Sequence, residues 1–482
     1  MTRGRRESAQ RLAGWLAAPL LLAAMIAING VTGPTYLMGD FRAFYCAGAA
    51  IAQGADPYRQ EPLHECERNA GPPRQPATLR AIALPAPLPP HALLLFAPLS
   101  RLPFALAAAV YGLLLISAMS TSVALFARIT GAGSGTLNIA FAAITATVTY
   151  YVGQPLPFVF LALAGAALLA RSGRWNAAAA CAAAATIEPH VALPVIAAML
   201  AALPRTRLPL ALCGAAFALA GIAAVGVPAS IEYVRDVVPA HALANAFEWQ
   251  FSLTSILTSL HVPAAAAIRA GEIMFAATTA LGVMAAVRLR RMTGDDALIV
   301  LVPPAFAVFG GVHVHFQQIA VAFPAILYVV VRHAQVRALA VSGLVLAMIP
   351  WNVMSASLLA GASPLFAGAV AARTLGRKAG LVFALVAAAI GLSVLALASA
   401  GLGPPEVAFT PHAYPPDALA EASWGEFSRA ALMRASVMMQ WLRVPTLAGL
   451  ACGLIAIARI AFAPQPASDV RAFRVQPAAA TS

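Results

Sequence analysis

Residues 12–31, LAGWLAAPLLLAAMIAINGV, form an almost wholly apolar run, and about 20 such residues suffice to cross a lipid bilayer as a helix. Similar runs recur almost to the C-terminus of the 482-residue chain, separated by short segments that carry arginine. The chain is 61% hydrophobic and only 10% charged. Because a helix satisfies its own backbone hydrogen bonds inside a bilayer, this pattern predicts an all-α integral membrane protein.

The net charge of +13 does not indicate a nucleic-acid partner. Lys378 is the only lysine, and many of the arginines lie at the ends of apolar runs, where the positive-inside rule accounts for them. The sequence has no basic stripe with interleaved aromatic residues. We therefore expect membrane lipids, and no nucleic acid, among the partners.

The arginines also predict a topology. Four of them (Arg3, Arg5, Arg6 and Arg11) precede the first run, and no cleavage site follows it, which is typical of a signal anchor with a cytoplasmic N-terminus. Counting onward predicts a bundle of roughly 10–14 transmembrane helices in a multi-pass plasma-membrane protein. The predicted segments are a cytoplasmic N-terminus (1–11), a first transmembrane helix (12–32), a first extracytoplasmic loop (33–103), a transmembrane helical bundle (104–460) with outer loops 228–264 and 403–430, and a disordered cytoplasmic tail (461–482).

The first outer loop contains the stretch MGDFRAFYCAGAAIAQGADPY, residues 38–58. Its apolar residues recur at helical spacing from Phe41 to Ala52, which predicts an amphipathic helix lying at the outer membrane surface. Asp40 stands at the start of that helix. It can be an N-cap, a general base where lipid and water meet, or both. Asp56 is predicted to be a turn residue.

Prolines are dense in the rest of this loop, from Pro57 to Pro98. They predict an irregular segment that re-enters the membrane, either as a structural turn or as one wall of a groove for a lipid chain. Cys46 and Cys66 both lie in the loop, and an extracytoplasmic location would permit a disulfide between them. The pattern alone leaves open whether they pair.

Other polar residues cluster at the outer tips of predicted hairpins. Glu188 and His190 lie in TIEPH, and Gln154 lies in GQP, either as a turn residue or as a sugar contact. A charge at the bilayer centre costs about 2.5–3.5 kcal/mol on insertion scales, so intramembrane acids are commonly functional. A third tip, HVHFQQ, holds His313, His315, Gln317 and Gln318, which suggests a polar pocket suited to phosphate. No carboxylate at suitable spacing completes a metal site there, so we expect no metal.

Motifs of soluble nucleotide chemistry are absent. The sequence contains no Walker A pattern, no Rossmann glycine fingerprint and no H-E-x-x-H. We therefore expect no nucleotide or other cofactor, and an activated substrate must come from the membrane or from outside.

The order of the motifs is similar to that of bacterial glycosyltransferase family 87. The resemblance covers about residues 12–335 and rests on GDFRAFYCAGAAIAQGADPY, LPPHALLLFAPLSRLPFALAAAVY, GQP, EPHVALPVIAAML, FSLTSILTSL and HVHFQQIAVAFPAIL. It implies a GT-C fold in the bacterial inner membrane, with its active site on the extracytoplasmic side. It also implies a polyprenyl-phosphate sugar donor, often mannose, and an inverting, metal-independent transfer to a lipid or glycan acceptor of the cell envelope.

The same resemblance implies that Asp40 is the catalytic base. Our candidates for binding the departing phosphate are Arg42, His313 and His315. The other candidate substrate-binding residues are Tyr45, Gln154, Glu188, His190 and Gln317. The chain departs from the family pattern at Glu188, where we expect a lysine before the proline, and at Gln317-Gln318, where the family tends to have an acid.

A transporter or flippase for a lipid or small solute is the alternative interpretation. Such proteins commonly contain internal repeats with interrupted helices, and we find no such repeat here. The long first outer loop also suits surface chemistry better than transport. The sequence therefore favours a membrane glycosyltransferase that transfers a hexose or a pentose. Mannose is the favoured sugar, which would make the protein a hexosyltransferase.

Overall fold

The computed structural model describes residues 38–70, 80–145, 152–349, 351, 358–397, 412–434 and 440–463. The predicted N-terminus (1–11), first transmembrane helix (12–32) and most of the predicted tail lie outside these ranges. Within them the protein is helical, and the backbone pairing outside helices includes a single antiparallel bridge between Arg59 and Leu419.

The described ranges contain 19 α-helices. The first seven are α1 (Gly39–Ala52), α2 (Gln60–Ala70), α3 (Pro90–Leu93), α4 (Phe104–Thr130), α5 (Ser134–Thr145), α6 (Leu156–Arg171) and α7 (Trp175–Ala184). The next six are α8 (Pro189–Ala202), α9 (Arg207–Glu232), α10 (Val238–Asn245), α11 (Leu253–Ser259), α12 (Ala264–Thr293) and α13 (Leu298–Gly310). The last six are α14 (Phe323–Arg332), α15 (Arg337–Ala347), α16 (Leu358–Leu375), α17 (Arg377–Leu397), α18 (Ala420–Arg434) and α19 (Val444–Phe462).

Short 3₁₀ and π turns extend several of these helices. The 3₁₀ turns are Leu99–Arg101, Ala185–Ile187, Pro204–Thr206, Phe316–Ala322 and Ala334–Val336, and a π turn covers Tyr233–Val237. The π turn joins α9 to α10, so helical structure runs on to Asn245. Most of the predicted outer loop 228–264 is therefore helical, and its location outside the membrane stays a prediction.

Several helices are long and apolar enough to cross a membrane. Four spans in the described residues meet this criterion, Phe104–Thr130, Pro204–Asn245, Ala264–Thr293 and Val444–Phe462. A fifth is formed if Phe316–Arg332 and Ala334–Ala347, which bend by 117° at their junction, are taken together. Shorter apolar helices of 10–17 residues pack among them. The all-α membrane fold is confirmed, while the total of 10–14 spans stays a prediction.

Two further boundaries differ from the sequence prediction. The Pro-rich segment contains the helix α2, because its prolines leave Leu63 to Ala70 free of proline and able to form helical turns. The last predicted span, 432–459, is divided between α18 and α19.

The amphipathic helix is confirmed as α1, but its aromatic face packs inside the protein. Phe41 is fully buried, and its ring stacks on that of Tyr111 in α4 with ring centres 4.4 Å apart. Phe44 packs on Phe96 in the same core. The apolar stripe is covered by α4 and the turn before it, and the position of this helix at the outer membrane surface stays a prediction.

A disulfide joins Cys46 in α1 to Cys66 in α2, which answers the question that the sequence left open. Asp56 is the predicted turn residue, since its carboxylate accepts a hydrogen bond from the Tyr58 backbone N–H at 3.0 Å. Together these contacts hold α1 and α2 in one unit.

The helix α6 separates two polar regions of the molecule. Gln154 lies just before its first residue, and Arg171 lies at its last. Arg171 donates two hydrogen bonds to the Asp295 carboxylate, at 2.9 and 2.5 Å, and a third to the carbonyl of Ile129. Since 16 helical residues span about 24 Å, this ion-pair cluster and Gln154 lie at opposite ends of the bundle.

The segment 412–434 docks on the first loop. The backbone N–H of Gln60 donates to the Ala418 carbonyl at 2.8 Å, and that of Ala420 donates to the Tyr58 carbonyl at 3.0 Å. The Gln60 side chain donates to the Ser423 hydroxyl at 2.9 Å. Arg59 pairs with Asp56 at 3.0 Å and also with Glu232 at the end of α9. The first loop, α9 and α18 are thus held together on the side of the bundle that carries Gln154.

Candidate active site

A cavity of about 340 Å³ lies at the Gln154 end of the bundle. Its walls come from the first loop, the hairpin tips and α18. The side chains with hydrogen-bonding groups that line it are Asp40, Gln154, Glu188, His190, Tyr233, His241, Asn245, Glu248, His313, His315, Gln318 and Trp424. The described lining includes three carboxylates and no lysine or arginine.

Asp40 lies in the first turn of α1 and accepts a hydrogen bond from the Gln154 side-chain amide. The helix is preceded by Met38 in the left-handed conformation, and no side chain caps it. The N-cap interpretation of Asp40 was therefore wrong. Its carboxylate makes a tertiary contact in the cavity instead.

The GQP turn fits closely against α1. Gly153 has a φ of +84°, which an L side chain rarely adopts. A Cβ at this position would also lie 2.6 Å from the Phe41 Cβ. A glycine here lets the backbone approach α1 closely enough for Gln154 to reach Asp40.

Asp40 has an unusual protonation equilibrium. Burial raises its pKa from 3.8 to about 7, against the opposing effect of the hydrogen bond from Gln154. The Glu248 carboxylate adds to the rise in this pKa, and the Arg42 charge reduces it. A carboxyl group with this pKa can accept a proton near neutral pH.

Glu188 and His190, which the sequence singled out together, lie together in the cavity wall. The Glu188 carboxylate accepts a hydrogen bond from Gln318 at 3.3 Å and lies 3.6 Å from His190 Nδ1. The backbone N–H of His315 donates to the Gln318 side-chain oxygen at 2.8 Å. Gln318 therefore connects the TIEPH tip to the HVHFQQ tip.

Histidines form a group on one wall. The His313 ring contacts those of His190 and His241 edge-to-face, with ring centres 5.2 and 5.5 Å apart. Burial lowers the pKa of both His313 and His315 to about 4, so both rings are neutral near pH 7. His190 Nε2, His241 Nδ1 and His313 Nδ1 are buried and have no hydrogen-bond partner among the described residues. These nitrogens can meet the hydrogen-bonding atoms of a bound molecule.

A further group of polar residues, which the sequence pattern did not predict, is centred on Glu248. One carboxylate oxygen of Glu248 accepts from the Trp424 indole N–H. The other accepts from Gln250 at 3.2 Å and lies 3.9 Å from His315 Nδ1. Burial raises the pKa of Glu248, and its hydrogen bonds oppose that rise. The sequence did not single out Glu248 or Trp424, because both lie in predicted outer loops, where polar and aromatic residues are common.

Three predicted substrate-binding residues do not line the cavity. Arg42 is buried, and its charge lowers the pKa of both Asp40 and Glu67. The Tyr45 hydroxyl donates to the Leu102 carbonyl at 2.8 Å. Gln317 is buried beside the cavity rather than in it. Helix geometry explains Arg42, because side chains two residues apart diverge by about 200° around a helix axis.

The remaining wall of the cavity is apolar. It includes Leu193 of α8, Val238 of α10 and Phe275 of α12. Leu193 and Val238 are 53% and 43% exposed at the surface of the protein. The neighbouring surfaces of α9 and α12 expose leucine, isoleucine and methionine side chains. The cavity therefore has an apolar mouth beside helices that are suited to contact lipid.

The described residues contain no group of three or more His, Cys, Asp or Glu side chains arranged to hold a metal ion. The chemistry that this part of the chain offers is thus a carboxylate base, neutral hydrogen-bond donors and an apolar mouth.

The sequence model of glycosyltransferase family 87 matches residues 88–310. This part of the chain is similar to that family, and the similarity indicates a glycosyltransferase. The resemblance that the order of motifs predicted is confirmed over this range, which includes Gln154, Glu188 and Glu248. Asp40 precedes the family-87 range, and His313, His315 and Trp424 follow it. No curated protein and no solved structure matches the chain.

Proposed function

We propose that this glycosyltransferase transfers a hexose or pentose, with mannose favoured, from a polyprenyl-phosphate donor to a lipid or glycan acceptor outside the cytoplasm. The observation that carries the proposal is the position of Asp40. It lies in a cavity with an apolar mouth, it is held by Gln154, and its pKa lies near neutrality.

The proposed reaction is a single inverting displacement. An acceptor hydroxyl oxygen forms a bond to the anomeric carbon, while the bond from that carbon to the phosphate oxygen breaks. The bonding electron pair leaves with the lipid phosphate, and the hydroxyl proton passes to the Asp40 carboxylate. General-base catalysis of this kind contributes about 10²–10⁴ in rate.

The histidine wall is the proposed site for the departing phosphate. Because His313 and His315 are neutral near pH 7, each can donate one ring N–H to an anionic oxygen. His190 and His241 bring further buried ring nitrogens to the same wall. His313 and His315 thus remain the candidates for binding the phosphate. Neutral ring N–H donors take the place of Arg42, which lies outside the cavity.

The apolar mouth supports a lipid-borne donor. Leu193, Val238 and Phe275 offer a prenyl chain a path from the bilayer to the cavity without crossing water. A nucleotide sugar has no such chain and would gain no binding free energy from this apolar mouth.

The disulfide supports an extracytoplasmic site. Cys46 lies in the same helix as Asp40, and disulfides persist in oxidising compartments. In a bacterium this corresponds to the outer face of the inner membrane.

A direct transfer assay tests the proposal. The purified protein in lipid vesicles is given radiolabelled polyprenyl-phosphate mannose and a membrane extract as acceptor, and the wild type is compared with Asp40→Asn. We expect transfer by the wild type and a loss of about 10²–10⁴ in the variant. Asp236→Asn is the matched control, because Asp236 is paired with Arg235 on the surface.

Each result has one meaning when the thermal unfolding of the variants matches that of the wild type. Transfer at the wild-type rate by Asp40→Asn would exclude Asp40 as the base. A wild type that transfers none of the label from mannosyl, glucosyl, galactosyl or arabinosyl polyprenyl phosphates would exclude the proposed donor class.

A further inference from the structure

Trp424 is an aromatic wall of the cavity that lies far outside the family-87 range. It belongs to α18 and is partly buried. Its indole N–H is held by Glu248, and its ring packs on Phe427 with ring centres 5.5 Å apart. These two contacts fix the orientation of a large flat side chain that also lines the cavity.

A chain of hydrogen-bonded polar groups continues from the indole N–H. The Glu248 carboxylate is an acceptor, and Asn245, which is 1% exposed, places its side-chain nitrogen 2.7 Å from His241 Nε2. Gln250 links the two, because its amide donates to both the Glu248 carboxylate and the Asn245 oxygen. A sugar ring has an apolar C–H face and hydroxyl groups at its edge, so a fixed indole beside a carboxylate and an amide matches both parts of such a ring.

Trp424 comes from α18, a helix that contributes none of the apolar mouth residues Leu193, Val238 and Phe275. The mouth is built from α8, α10 and α12, which carry exposed leucine and isoleucine side chains nearby. The helix α18 instead carries Glu426 and Arg429 on its exposed surface and docks on the first loop. Its side of the cavity is therefore the one that a water-soluble chain could approach.

Asp40 lines the same cavity as Glu188 and Glu248, and it is held there by Gln154. A base must contact the acceptor hydroxyl, and an acceptor bound at Glu248 would lie in the same cavity as Asp40.

We propose that Trp424, Glu248 and Asn245 form an acceptor subsite that binds the terminal sugar ring of a glycan, stacked on the indole. The acceptor class is thus a carbohydrate hydroxyl rather than the hydroxyl of a simple lipid alcohol. This inference rests on the proposed function for its label as the acceptor side, whereas binding of a sugar ring by Trp424 can be measured without any transfer.

Saturation-transfer NMR on the full-length protein tests the subsite directly. The probes are the methyl glycosides of mannose, glucose, galactose and arabinose, each without a lipid. We expect saturation of the ring protons of at least one glycoside, about tenfold weaker binding to Trp424→Ala, and intermediate binding to Trp424→Phe, which keeps the flat ring but loses the N–H. Trp441→Ala is the control, since Trp441 is 64% exposed and lies outside the cavity lining.

Binding of polyprenyl-phosphate mannose in vesicles gives the second readout. We expect Trp424→Ala to bind this donor with the affinity of the wild type. We expect Glu248→Gln to weaken binding of the glycoside and to leave binding of the donor unchanged. A wild type that binds none of the glycosides, or a Trp424→Ala protein that binds them unchanged, would overturn the subsite. If Trp424→Ala weakened binding of the donor as much as binding of the glycoside, Trp424 would belong to the donor site, and the acceptor subsite would also be overturned. If the glycosides bind through Trp424 but no polyprenyl-phosphate sugar is transferred, the proposed function fails while the sugar-binding site stands.

Discussion

Gln154 donates a hydrogen bond to Asp40, and this contact joins the turn before α6 to the first turn of α1. It brings together two residues that are 114 positions apart in the chain. An amide donor stabilises the ionised carboxylate, so Gln154 lowers the pKa of Asp40 against the effect of burial. The pair therefore controls how much of the proposed base is ionised at a given pH.

Replacing Gln154 by alanine should shift the pH dependence of transfer. Loss of the hydrogen bond raises the pKa of Asp40, so the rate at pH 7 falls while the rate at higher pH recovers toward that of the wild type. Gln154→Glu, which places a second acid beside Asp40, should shift the profile further in the same direction. A profile unchanged in position for both variants would mean that Gln154 does not act through Asp40.

The wild-type rate should itself depend on pH through Asp40. A base acts in its ionised form, and with a pKa of about 7 its ionised fraction falls about tenfold per pH unit below neutrality. We expect kcat to rise between pH 5 and about 8 and then to level off, because the carboxylate is half ionised at its pKa and almost fully ionised about one pH unit above it. Asp40→Asn should lose this rise in its residual activity, and retention of the same rise would assign it to another group.

The Cys46–Cys66 disulfide should stabilise the outer unit that carries Asp40. It closes a loop of about 20 residues, which in the chain-entropy model contributes about 3 kcal/mol. We expect Cys46→Ser, Cys66→Ser and the double variant to lower the Tm by the same amount. Cys213→Ala is the control, because Cys213 is a free cysteine. Additive losses in the double variant would show that the side chains matter individually and that the cross-link does not.

Gly153→Ala should reduce transfer more than a glycine substitution at a comparable backbone conformation elsewhere. The added Cβ meets the Phe41 Cβ at 2.6 Å and moves the GQP turn away from α1. Gly173 has a φ of +70°, and no atom lies within 4 Å of the place that an added methyl group would occupy, so Gly173→Ala carries the backbone strain without the clash. We expect about 1 kcal/mol of destabilisation from strain in both variants, and a large loss of transfer in Gly153→Ala alone. Equal losses of transfer in Gly153→Ala and Gly173→Ala would show that the close approach of the GQP turn to α1 is not needed for transfer.

The sequence predicted those cavity residues that are polar and lie next to long apolar runs. Asp40, Gln154, Glu188, His190, His313 and His315 were candidates because polar residues at membrane depth are costly, and all six line the cavity. Their meeting at one end of the bundle follows from the alternation of helices, which brings successive hairpin tips to the same side.

The other half of the cavity could not be predicted in this way. Glu248 and Trp424 lie in segments that were expected to be outer loops, where polar and aromatic residues carry no penalty. Their contact joins two positions 176 residues apart, and no local pattern encodes such a pairing. Arg42 and Gln317 each lie within two residues of a cavity residue in sequence but do not line the cavity themselves, and their role in substrate binding stays a prediction.

The contact between the first loop and α18 also has a consequence for biosynthesis. Asp40 leaves the ribosome early, whereas Trp424 and the backbone partners of Gln60 follow only when most of the chain has been translated and inserted. The nascent enzyme therefore lacks one wall of its cavity until synthesis is nearly complete. Chains released early would hold the proposed base in an open cleft, exposed to water and unable to retain an acceptor.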